Sequence, residues 1–108
     1  MEEVLKLASA LGEAMKKHER FVRYAETQEK VKKDAEAQAL LKSLSEKADK
    51  IRRKEVNLEP VEITEKREMA ELEDKLRRHP LLMELVRLQA DYAEMINKIN
   101  ERIFGAAR

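Results

Sequence analysis

Apolar residues recur every three or four positions along almost the whole chain, and one short stretch around Pro60 breaks the pattern. That spacing lays apolar side chains along one side of a helix, which commits the chain to an all-α fold. Charged residues make up 42% and apolar residues 43% of the 108 positions, with two glycines and two prolines. Ala, Glu, Lys, Leu and Arg dominate, the composition of long helices and coiled coils rather than of a disordered chain.

The first segment, residues 2–17, places Val4, Leu7, Ala8, Leu11 and Met15 on one stripe. Gly12 lies inside it and costs about 1 kcal/mol of helix propensity against Ala, for which the close approach of another helix would compensate. Residues 20–33 put Phe21, Tyr24, Ala25, Gln28 and Val31 on one face. Whether Lys17-His18-Glu19 interrupts the two segments is open at this level.

Asp34 is suited to accept the free amides of a new first turn. From there Ala37, Leu41, Leu44, Ala48 and Ile51 alternate four- and three-residue steps, a heptad seam, up to Arg52-Arg53-Lys54. Residues 57–63 read as a loop because Pro60 forbids a continuous helix and Val56, Val61 and Ile63 are poor helix formers. Thr64 is the expected N-cap of the next helix, with Glu65 in its first turn, and Met69, Leu72 and Leu76 form its narrow stripe. His79 caps and Pro80 opens a last helix of about 37 Å that reaches Phe104, with Gly105 as its stop. The expectation is a single helical domain over 1–108, helical over 2–54 and 64–104. It holds four to five helices in a bundle or hairpin arrangement with a long C-terminal helix.

That last helix carries more apolar positions than one narrow seam holds. Leu82, Leu85, Val86, Tyr92, Ile96, Ile99 and Ile103 are therefore the expected interface of a homo-oligomer, a dimer or larger. The halves of the chain differ in charge: residues 1–54 carry 14 basic and 10 acidic side chains, and residues 55–108 carry 9 and 12. Solvated helix faces explain this most simply, although it could also steer antiparallel association. The net charge of +1 sets up no overall field toward nucleic acid or membrane.

No residue pattern carries a chemistry. The chain has no cysteine, so thiol nucleophiles and thiolate metal sites are excluded. His18 and His79 are preceded three residues earlier by Met15 and Leu76, not by the Glu of bundle di-iron sites, and they read as caps or surface residues. Glu71, Glu73 and Asp74 fan around a helix. No catalytic, metal or cofactor-binding residue is assigned, and no cofactor is expected. The basic clusters Lys30-Val31-Lys32-Lys33 and Arg52-Arg53-Lys54, with Phe21 and Tyr24 as stacking platforms, define the alternative of an RNA-associated protein acting through its first half. Core packing of those two rings is the simpler reading, because they sit on an apolar face. A small helical enzyme is a third alternative. The acidic start and the absence of any apolar run near 20 residues point to a cytoplasmic protein with no membrane partner.

Several stretches carry a family resemblance: Leu11-Gly12-Glu13-Ala14-Met15, Phe21-Val22-Arg23-Tyr24-Ala25, and Asp34-Ala35-Glu36-Ala37-Gln38-Ala39-Leu40-Leu41. His79-Pro80 and the run from Tyr92 to Ile99 continue it. Along nearly its whole length the chain resembles the YlbF/YmcA-like proteins of bacteria, which often have Pro where this chain has Ala35. The resemblance implies a small helical cytoplasmic protein, a non-catalytic regulatory adaptor that self-associates or joins a complex. Some members act in competence, sporulation and biofilm development, and in complexes that affect RNA processing. Iron–sulfur clusters go with the complexes of some members; this chain has no thiolate to offer one.

Overall fold

The computed structural model describes residues 1–108 and contains five helices and no strand: α1 (Glu2–Lys17), α2 (Glu19–Lys33), α3 (Ala35–Val56), α4 (Ile63–Arg78) and α5 (Pro80–Ala106). The all-α architecture and the long C-terminal helix are as the periodicity predicts.

Three of the four connections are single residues, and each is extended and polar. His18 (φ −69°, ψ 143°) separates α1 from α2, which answers the question the sequence left open. Its N–H donates to the Met15 carbonyl at 3.1 Å, and its Nδ1 accepts from the Arg20 N–H at 3.1 Å. Asp34 (φ −94°, ψ 109°) caps α3, its Oδ1 accepting from the Ala37 N–H at 2.8 Å. His79 (φ −91°, ψ 106°) does the same for α5 through Nδ1 and the Leu82 N–H at 3.4 Å, with Pro80 in the first helical position. In each case one side chain serves an orphan amide that a helix start must otherwise leave to water.

The fourth connection departs from the expected boundaries. α3 continues two residues past Lys54, and the Glu59 N–H then donates to the Lys54 carbonyl (2.8 Å) and the Leu58 N–H to the Glu55 carbonyl (3.2 Å). These two bonds form a Schellman stop, whose penultimate position needs a left-handed residue. Leu58 occupies it at φ 57°. Thr64 is not the cap of α4. The helix begins one residue earlier, at Ile63, and Thr64 Oγ1 instead donates to the Glu62 carboxylate at 3.4 Å. Nor does Gly105 stop α5, which runs through it to Ala106, because without a left-handed φ a glycine simply continues the helix. No helix approaches Gly12 closely either; a Cβ added there meets nothing within 4 Å.

The chain forms two compact units, one of residues 1–28 and 85–108 and the other of residues 29–84. In the second, α3 and α4 pack as an antiparallel hairpin, crossed by ion pairs from Lys47 to Glu68 and from Lys54 to Glu65. Val31, Ala37 and Leu82 are its buried apolar residues. In the first, α2 meets α5 through aromatic rings, with Leu88 and Thr27 buried.

Candidate interaction surface

In the first unit Tyr92 of α5 takes both rings of α2. Phe21 meets it edge-on with centroids 5.6 Å apart, and Tyr24 lies tilted at 5.7 Å. Beside them the Arg20 guanidinium donates to the Asp91 carbonyl (3.1 Å) and lies 3.7 Å from Glu94, whose carboxylate also pairs with Lys98 at 3.0 Å. The Lys98 hydrogen bond, with the charges of Lys98 and Arg20, holds the Glu94 carboxyl below the usual carboxylate range. Phe21 and Tyr24 thus serve as packing residues. Their i, i+3 placement on an apolar face was the signal for this.

The same unit leaves a large apolar surface open. α1 is amphipathic, yet none of its residues is buried: Val4 is 64%, Leu5 57% and Leu7 67% exposed. At the far end of α5, Ile103 is 46% and Phe104 64% exposed. Single exposed apolar residues are ordinary, but a helix whose apolar stripe stands open over its first half, with Leu11 and Met15 half-buried beyond it, marks a contact surface.

The residues expected to form an oligomer interface do not share one environment. Leu82 is 1% exposed and packs inside a single copy. Leu85, Tyr92, Ile96 and Ile99 are half-buried, while Val86 and Ile103 are open. Sequence periodicity ranked these positions equally because it reports a face, not which part of the face the chain itself covers. For the same reason it overlooked α1, whose stripe looked like an ordinary core stripe.

Along its flank the second unit carries charge rather than open apolar surface. A groove of about 470 Å³ between α3 and α4 is lined by Lys47, Lys50 and Lys75 against Glu46, Glu68 and Glu71. With three charges of each sign, it offers an anion or cation no net attraction. Arg52 pairs with Asp49 at 2.7 Å, and Lys32 with Glu29 at 3.3 Å, so the two basic clusters are partly neutralised by their own helices. The donor set does not suit the iron–sulfur clusters that the resemblance brings with it: there is no cysteine to supply a thiolate, and each of the two histidines has its Nδ1 engaged as a helix cap.

The whole-chain comparison decides the family. Residues 4–106 match the model of the family described as control of competence regulator ComK, YlbF/YmcA. The chain belongs to the YlbF/YmcA family. No curated protein and no solved structure matches it. The match begins in α1 and ends on the last residue of α5, so the YlbF/YmcA pattern spans all five helices, including α1. The family's description is regulatory and names no reaction. No helix is long and apolar enough to cross a membrane.

Proposed function

We propose that this chain is a non-catalytic regulatory adaptor of the cytoplasm, which self-associates and binds partner proteins through the open apolar face of its first unit. The observation that carries this reading is α1: sixteen amphipathic residues with none buried. Holding Val4, Leu5 and Leu7 in water forgoes roughly 25 cal/mol for every Å² of apolar area that a partner would cover. The family's link to a competence regulator supports a regulatory role. Val86 and Ile103 of α5 extend the same reading, with the half-buried Leu85, Tyr92, Ile96 and Ile99 between them, whereas Leu82 stays within one copy.

The test replaces the native gene by one encoding Leu5→Asp and Leu7→Asp. The expected result is the same change in regulated transcripts as a deletion, at normal protein level and helicity. A wild-type transcript profile would overturn the reading. RNA binding that weakens steeply with salt would transfer the function to the basic first half, since phosphate contacts release counterions.

A further inference from the structure

The closed end of the α3–α4 hairpin holds large apolar side chains in water on both sides of its turn. Val56 ends α3 at 75% exposure, Leu58 stands in the turn at 92%, and Ile63 opens α4 at 75%. Scattered apolar residues are ordinary, but these three gather at one point of the fold. Leu58 adds backbone strain, because it is the one residue with a left-handed φ, 57°. Glycine there would relieve the strain and remove the exposed side chain, so neither stability nor solubility accounts for a leucine. A strained residue that also holds its side chain in water points to a contact made outside the chain.

The charge around these side chains restricts what can cover them. From Glu55 to Glu65 the chain has four carboxylates and no cation. Glu65 is taken by Lys54, which leaves Glu55, Glu59 and Glu62 exposed at the tip. The cations stand behind it, at Arg52, Arg53 and Lys54 on α3 and at Lys66 and Arg67 on α4. The turn is also pre-organised. Two Schellman bonds fix its α3 side, Pro60 stiffens its middle, and Val61 is half-buried. A turn held in this way loses little entropy on docking.

We infer that this turn is a docking element, which inserts Leu58, with Val56 and Ile63 on either side of it in the chain, into an apolar pocket of another protein rimmed by lysine or arginine. The exposed carboxylates repel the anionic headgroups of a membrane, and burying them in a bilayer would cost their hydration. A second copy of the turn would bring the same charges against them, so tip-to-tip pairing is disfavoured. A basic-rimmed pocket covers the apolar side chains and neutralises the carboxylates at once. The charges then steer encounter, and burial of Leu58 holds the complex.

The test uses the full chain in its native host, with photoreactive p-benzoylphenylalanine in place of Leu58 or, separately, of Ile63. On irradiation both positions are expected to give an adduct with the same protein, at an apolar peptide flanked by lysine or arginine. Placed at Ser45, which is exposed about 16 Å back along α3 from Val56, the same group gives none. Glu59→Lys with Glu62→Lys lowers the yield from position 63 roughly tenfold. Leu58→Gly lowers it as much, while its urea midpoint does not fall, which separates docking from folding. An adduct with lipid, with the chain itself or with a peptide lacking flanking cations overturns the docking role. So does the absence of an adduct at either position, an equal adduct from Ser45, or a yield that survives the substitutions. None of these results touches the α1 face, which Leu5→Asp and Leu7→Asp judge on their own.

Discussion

Lys54 donates to Oε1 of Glu65 across the α3–α4 hairpin, while Oε2 of the same carboxylate is buried and has no hydrogen-bond partner. The Glu65 side chain is 8% exposed and that of Lys54 21%. The hydrogen bond to Glu65 raises the Lys54 pKa above its ordinary value, with the charges of Glu65, Glu62 and Glu59 acting in the same direction against desolvation. This half-satisfied carboxylate is a cost the hairpin carries, tolerable only while the ammonium stays. Lys54→Met, which strands it, is expected to lower the midpoint of urea unfolding more than Lys54→Met combined with Glu65→Leu does. A double variant less stable than the single one would contradict this.

Leu58 is a β-substituted residue held at φ 57°, in the position of the Schellman stop that glycine fills without strain. Leu58→Gly relieves a conformational cost of about 1–2 kcal/mol, and the side chain removed is 92% exposed and covers little. Urea denaturation is expected to show a net gain of about 1 kcal/mol.

Gly12→Ala is expected to stabilise by nearly as much. The position is inside α1, and a methyl group there meets nothing within 4 Å. The gain is the helix-propensity difference, about 1 kcal/mol, read as a rise in unfolding midpoint. No gain would mean that α1 is not helical in solution.

Two residues one helical turn apart on α5 separate core from surface. Leu82→Ala, at 1% exposure, is expected to cost about 2–5 kcal/mol in denaturation. Val86→Ala, at 46%, is expected to cost far less in dilute protein. Its loss should grow with protein concentration if the proposed association covers Val86, and a loss independent of concentration would count against Val86 as part of the interface.

On the acid side, Glu68 and Glu94 both have pKa values below the ordinary range, held there first by hydrogen bonds from Lys47 and Lys98 and then by the same cations' charge. A depressed folded-state pKa contributes stability above the unfolded-state pKa that is lost as pH falls through the folded one. The wild type should therefore exceed Glu68→Gln at pH 7, and the gap should close as pH drops below about 4. A gap that persists or widens at low pH would show that these pairs do not hold in solution.

The sequence by itself determined an all-helical chain of four to five helices and most of their limits, while the break at His18 came only with the structure. Helix type follows from spacing that every stretch repeats locally. Asp34 and His79 cap through bonds spanning three residues, so the signal lies next to the structure it specifies. Where the deciding contact is a turn's backbone geometry, as at Leu58, or a glycine's neighbourhood, as at Gly12 and Gly105, the same local reading placed the boundaries or the reasons differently. Only tertiary structure decided which apolar stripe is core. Leu82 and Leu7 belong to equally regular patterns, yet one is enclosed and the other stands two-thirds exposed. Periodicity states which residues share a face, whereas burial depends on whether another segment of chain reaches that face. In α1 none reaches far enough to bury a residue, and the surface left over is the one on which the function is proposed to rest.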